Sequence, residues 1–159
     1  MIITRRRFFV RIIQGTALLS IPSIIGSFLE SCTNMNNPVG SGNTSSLAQI
    51  QGNTSGNIVS LTVDSSSPVA KTGTAALVNY SGGQLLIDHP SDTQFNAFTS
   101  ICTHAGCTVS GYDTSNNQFV CPCHGSRFDV NGHVAQGPAS AALRQFQTKF
   151  SNNLLTITI

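Results

Sequence analysis

Two short stretches carry most of the reactive side chains. The first is Cys102-Thr103-His104-Ala105-Gly106-Cys107, and the second is Cys121-Pro122-Cys123-His124-Gly125-Ser126. Of the five cysteines and four histidines in the chain, six fall between Cys102 and His124. Each stretch supplies one Cys and one His two or three positions apart, plus a further Cys. Two thiolates and two imidazoles suit a tetrahedral zinc ion, or an iron–sulfur cluster in which one iron takes sulfur and the other nitrogen. Zinc sites usually space their ligands as C-x2–4-C and H-x3–5-H. Here the spacing is C-x-H and C-x-x-H. In that arrangement Cys102 and Cys121 can hold one iron while His104 and His124 hold the other. The chain has no Ser-His-Asp arrangement with a nucleophile elbow, no Gly-rich phosphate loop and no carboxylate-rich metal cage.

The elements around the two stretches must bring them side by side. Sixteen residues separate His104 from Cys121, enough for a short hairpin around Gly111-Tyr112-Asp113. Alternating, β-branched segments flank it: Ile58 to Val63, Thr74 to Tyr80, Leu85 to Asp88, Phe95 to Ile101, Asn117 to Val120, Leu143 to Phe150 and Leu154 to Ile159. Ser81-Gly82-Gly83 and His89-Pro90-Ser91-Asp92 read as turns between them. No helical periodicity of useful length follows Leu29. Short strands with frequent turn residues predict an antiparallel all-β sandwich or barrel over residues 58–159. Phe95, Phe98, Phe119, Phe146 and Phe150 alternate with polar residues and read as core. His89 and His133 read as surface or turn residues, and Tyr112 as packing.

Upstream, residues 32–57 are dominated by Asn, Ser, Gly and Thr and read as a flexible polar linker. Residues 1–31 read as an address: a basic head, Arg5-Arg6-Arg7, then an uncharged stretch of eighteen residues from Ile12 to Leu29. Such a stretch is just long enough to span a hydrocarbon core of ~30 Å as an anchor helix. The chain's formal charge of +2 belongs to this head, which holds Arg5, Arg6, Arg7 and Arg11 of the eight basic residues. From Thr33 onward four basic residues face five acidic ones. That leaves no basic patch for a nucleic acid. Charged residues are only 9% of the 159 residues.

Several of these stretches resemble known patterns. Thr4-Arg5-Arg6-Arg7-Phe8-Phe9 is similar to the twin-arginine export signal, and Leu29-Glu30-Ser31-Cys32 resembles a bacterial lipoprotein box. Together they predict an exported protein held at the outer, periplasmic face of a membrane by its anchor or by lipid on Cys32. The pair CTHAGC and CPCHGS resembles the Rieske [2Fe–2S] signature. The likeness runs on through Gly125-Ser126-Arg127-Phe128-Asp129, Gly132 and Gly137-Pro138-Ala139, the last like the family's cluster-covering proline loop. It covers roughly Phe95 to Ala139.

The resemblance implies a role for each matching residue. Cys102 and Cys121 would ligate the buried iron, and His104 and His124 the outer iron. Cys107 and Cys123 would form a disulfide between the loops, which suits an exported protein. Ser126 would donate a hydrogen bond to a bridging sulfide. Phe128 stands where high-potential respiratory members usually have a tyrosine, so the resemblance implies a lower potential within the Rieske range. It also implies the Rieske β-fold with a small cluster-binding subdomain.

As to function, the resemblance implies an electron-transfer subunit of a cytochrome bc-type complex that passes single electrons from quinol to a cytochrome. His124 is then the residue that contacts the quinol. A molybdenum-oxidase partner, as for the small subunit of arsenite oxidase, is the second reading, and Phe128 fits it. A zinc-stabilised binding module without redox activity is the third.

Overall fold

The computed structural model describes residues 43–159. The expected export head over 1–31 and Cys32 lie outside the described residues. The strands, in chain order, are β1 (Thr44–Ser46), β2 (Ala48–Gln51), β3 (Asn53–Ser55), β4 (Ile58–Thr62), β5 (Thr74–Tyr80), β6 (Gly83–Ser91) and β7 (Gln94–Thr99). They continue with β8 (Gly111–Asp113), β9 (Gln118–Val120), β10 (Arg127–Phe128), β11 (Val134–Gln136), β12 (Gln145–Ser151) and β13 (Leu154–Thr158). The all-β class expected from the sequence is what is found.

Eight strands form the larger sheet, in the order β2-β5-β6-β7-β12-β13-β4-β3. Its two edges, β2 and β3, are consecutive in the chain and separated only by Gly52. The run from Ala48 to Ser55 therefore pairs with β5 on one side and with β4 on the other, and the sheet closes as a barrel. Gly52 is required at the closure: a Cβ there would lie 2.7 Å from Val59 Cγ1 and 2.9 Å from Val78 Cγ1. The smaller sheet, β1-β8-β9-β10-β11, carries the two Cys/His loops.

Strands β5, β6 and β7 form a wall shared by both sheets. Ala76, Val78, Leu85, Ile87, Phe95 and Ala97 point into the barrel with Val59, Leu61, Leu155 and Ile157. The alternate residues Leu77, Leu86 and Phe98 point outward, into a second core with Val109, Tyr112, Phe119, Phe128 and the two cysteines Cys102 and Cys121. Successive side chains of a strand point to opposite faces. Burial on both faces therefore explains why these strands are nearly continuous apolar runs.

Four expectations are corrected. The flexible linker does not extend to residue 57, because Thr44 to Ser55 form three strands with defined register. The folded domain thus begins upstream of residue 58. The pairing is not wholly antiparallel, since β2 runs parallel to β5. The segment from His89 to Ser91 is not a turn: β6 continues through it with a register shift between Asp88 and Ser91. Pro90 has no N–H for the ladder, and a bulge is where a strand tolerates that loss. Finally, His89 is not at the surface. It is 5% exposed and stacks on Phe95 with ring centroids 4.1 Å apart. Tyr112 packs against Phe119 at 5.3 Å, as expected for a core residue. Burial, then the nearby Asp88 and Asp113 carboxylates, push its phenol up to about 12.

Candidate metal centre

The first loop leaves the end of β7 and the second joins β9 to β10. They share one backbone plan. Cys102 N–H donates to the Cys107 carbonyl at 2.8 Å, and Cys121 N–H donates to the Ser126 carbonyl at 2.8 Å. Gly106 N–H returns to the Cys102 carbonyl and Gly125 N–H to the Cys121 carbonyl, both at 3.0 Å. Both glycines have φ near +75°, a conformation in which a Cβ is strained. This Cys-x-x-x-Gly register, common to both loops, was present in the sequence and is the local signal for their equivalence.

The loops place their side chains in three pairs. Cys102 and Cys121 are free thiols, 3% and 2% exposed, inside the second core. Burial pushes the Cys121 thiol up, and the neighbouring Cys102 thiol adds to that. His104 and His124 lie at the exposed tips of the loops, with ring centroids 4.8 Å apart and planes nearly perpendicular. Cys107 and Cys123 form a disulfide that joins the loops, as the family resemblance implied.

Further contacts hold the loops in place, and of their residues Thr103, Gln136 and Ala141 carry no signal in the sequence. Thr103 Oγ1 donates to the Ala141 carbonyl at 2.6 Å. Ser126 is fully buried, and its Oγ accepts the Ala139 N–H at 3.0 Å. The segment around Pro138, whose peptide bond with Gly137 is cis, is thus bonded to both loops. Gln136 Nε2 donates to the Gly125 carbonyl at 3.3 Å. Behind the second loop, Arg127 pairs with Asp113 at 2.6 Å and ties β10 to the β8–β9 hairpin. Hydrogen bonds from Asn116 and then Arg127 hold the Asp113 carboxyl down at about 2. No sequence periodicity announces such partners, because they meet only when the strands are assembled.

The donor set fits a two-iron cluster. A single tetrahedral ion needs all its donors around one point. Among the described residues no three His, Cys, Asp or Glu side chains gather in that way. Here the donors come as a buried thiol pair and an exposed imidazole pair. Ser126 Oγ is already engaged as an acceptor, so its own proton is available to an acceptor on the cluster side.

Residues 60–147 match the family model of the Rieske [2Fe-2S] domain. The chain belongs to the Rieske family. Its domain binds a [2Fe–2S] cluster. The cytochrome b6-f complex iron-sulfur subunit of Prochlorococcus marinus (strain MIT 9515) is 38% identical over 89 residues, covering 48% of each chain. The corresponding subunit of Nostoc punctiforme is 35% identical over 74 residues, 46% of this chain and 41% of its own. This Rieske chain thus matches half or less of the length of these curated relatives. Among solved structures, the cyanobacterial plasma membrane Rieske protein PetC3 from Synechocystis PCC 6803 is 30% identical with a TM-score of 0.52, over 62% of this chain and 99% of that one. Naphthalene 1,2-dioxygenase shares the fold at a TM-score of 0.53 and 20% identity, over 64% of this chain and 26% of its own.

Proposed function

We propose that this Rieske protein is an electron-transfer subunit in which Cys102 and Cys121 hold one iron of the cluster and His104 and His124 the other. The observation that carries this reading is the pairing of donors, thiols buried in the core and imidazoles exposed at the loop tips. When bound, the cluster supplies a one-electron centre with a potential of roughly −150 to +300 mV, the range of His2Cys2-ligated centres. The chain's own residues do the remaining work. The exposed imidazoles present the short route for an electron to a docked partner. The disulfide and the bonds from Thr103, Ser126 and Gln136 keep the loops from opening. The buried Ser126 hydroxyl offers its proton toward the cluster.

The electron donor in this proposal is a quinol, hydrogen-bonded at His124, and the acceptor is a cytochrome. The identity of the curated relatives as cytochrome b6-f subunits supports that pairing. The twin-arginine-like head over 1–31 would take the folded domain to the periplasmic side, held by the anchor or by lipid on Cys32. The plasma membrane location named for the Synechocystis relative supports a membrane attachment. The full-length protein should show the visible absorption and paramagnetic resonance of a reduced [2Fe–2S] centre. A colourless, silent, zinc-containing sample overturns the reading. Reduced quinol should bleach the oxidised protein, and failure to do so overturns the quinol donor. An intact mass showing neither a retained head nor lipid on Cys32 overturns the membrane attachment.

Phe128 favours a second reading. It is fully buried in the core that holds both cysteines and has no hydroxyl to donate. That fits a lower-potential partner such as a molybdenum oxidase subunit. Reduction of the cluster by such an oxidase, and not by quinol, would select this reading.

A further inference from the structure

The shared wall carries one carboxyl that lies outside both cluster loops. Asp88 sits on β6 two residues beyond Leu86 and so on the same face. That face is turned toward the core that holds Cys102 and Cys121. Asp88 is 1% exposed, and neither of its oxygens has a partner. Its cross-strand neighbours are Ala75 on β5 and Asn96 on β7. The Asn96 amide is turned away, donating to the Val130 carbonyl at 2.9 Å. Four residues, or about 13 Å at the usual strand rise, separate Asp88 from Gln84. The Gln84 carbonyl accepts from the Ser100 hydroxyl, two residues before Cys102. The cluster loops therefore begin on the order of 15–20 Å from Asp88.

The groups that face Asp88 make its charge costly. Tyr112 on β8 and Asp129 after β10 are the titratable ones, while β5 and β7 present Ala75 and Asn96. Among the described residues neither ion pair includes Asp88. Burial pushes its carboxyl up to about 7 and the Tyr112 phenol up to about 12. Asp88 thus changes charge near neutrality while Tyr112 stays neutral. Room for water lies next to both. Ala75 and Tyr112 line a cavity of about 210 Å³ together with Ser45, Ser46, Thr74 and Thr114. Hydroxyls dominate that lining, and the volume holds several waters at ~30 Å³ each.

We propose that Asp88 is a redox-linked proton site: its carboxylate takes one proton from water when the domain gains an electron and returns it when the electron leaves. The proposal rests on the reading that seats the cluster between the two loops. The electron comes from the donor, a quinol in that reading, and the proton from the hydroxyl-lined cavity. The domain's net charge is then the same before and after the step. A negative charge added on the far side of an apolar core is little screened by salt. Over about 15–20 Å at an effective dielectric constant of about 20, it tightens proton binding at Asp88 about five-fold. Conversely, an ionised Asp88 disfavours reduction by the same factor, or about 40 mV at ~59 mV per decade.

The test is a redox titration of the full-length, cluster-loaded protein against pH, beside Asp88→Asn, which is neutral at every pH. The two midpoint potentials should coincide at about pH 5, where Asp88 is protonated, and the variant should lie about 40 mV higher at about pH 9. Titration of the ligand imidazoles is common to both proteins and drops out of the difference. A purely structural effect of the substitution would shift the potential equally at both ends. An offset that does not grow with pH, zero included, overturns the proposal, as does an offset of opposite sign. If Asp88→Asn does not fold, infrared difference spectra of the wild-type protein at neutral pH read the same event. Reduction should strengthen the carbonyl band of a protonated carboxyl, and an unchanged band overturns the proposal. Both proteins should give the paramagnetic signal of the reduced cluster. Its absence from both would overturn the electron-transfer reading, and this proposal with it.

Discussion

The five-stranded sheet and the barrel share a wall but hold their shape by different means. Strands β1, β8, β9, β10 and β11 are two or three residues long. So short a ladder cannot fix the position of a loop. The small sheet packs on a second apolar core and is fastened in addition by point contacts: the Cys107–Cys123 disulfide, the Arg127–Asp113 pair, and hydrogen bonds at Thr103, Ser126 and Gln136. The barrel has strands of up to nine residues and a continuous apolar interior. Its stability is spread over many van der Waals contacts. The difference teaches where function resides. A site that must present two exposed imidazoles has little apolar surface to bury around them, so covalent and polar links take over.

Substitutions on the two sides should therefore fail in different ways. The largest effect is expected for Phe98→Ala. Phe98 is fully buried on the shared wall and meets Phe119 at 6.0 Å. Truncating such a ring typically costs about 3–5 kcal/mol. Denaturant unfolding should show a loss of that size. A loss below about 1 kcal/mol would mean that the wall is not the common support of both sheets.

Asp88, on that wall, comes next. It is 1% exposed and neither carboxylate oxygen has a partner, while the adjacent Asn96 amide donates to the Val130 carbonyl. Burial pushes its carboxyl up from 3.8 to about 7, with Asp129 adding to the rise. The folded protein thus keeps the proton that the unfolded chain releases between those values. The Asp88 contribution to stability should be full below about pH 4, be lost as pH rises to about 7, and then level off, on the order of 4 kcal/mol in all. Asp88→Asn should remove that slope and be the more stable protein at pH 8. A parallel pH profile for the variant would contradict this.

Breaking the disulfide acts on the small sheet alone. Its cysteines are 16 residues apart, and closing a loop of that size is worth about 3 kcal/mol. The double variant Cys107→Ala/Cys123→Ala should lose its paramagnetic signal on storage while the far-ultraviolet circular dichroism of the barrel persists. Joint loss of both signals would show that the two sheets are not separable. The smallest change is expected for Phe128→Tyr. A phenol there could donate to a ligand sulfur, favouring the reduced cluster by about 1 kcal/mol, or roughly 40–60 mV in potential. An unchanged potential in a redox titration would place Phe128 out of reach of the sulfurs.

The candidate cluster loops were legible in the sequence because their information is local. Ligand types, their spacing, and a glycine four residues after the first Cys of each loop lie within six-residue windows. The core strands were legible for a similar reason, since alternation reports which face is buried. Thr44 to Ser55 were not. These residues are mostly exposed, and they form strands through backbone hydrogen bonds to β8, β5 and β4, which side-chain type does not report. His89 was misread because a histidine beside a proline in a polar run looks like a turn. Only the packed barrel supplies the Phe95 ring and the Val69 carbonyl that bury it.

By itself, then, the sequence determined which residues could bind metal and which faces of the middle strands turn inward. Both follow from chemistry that neighbours in the chain share. The tertiary structure alone decided where the barrel closes, at Gly52, and which polar groups are left buried without partners, Asp88 and His89. Those outcomes depend on atoms tens of residues apart coming within contact, and no local pattern encodes that.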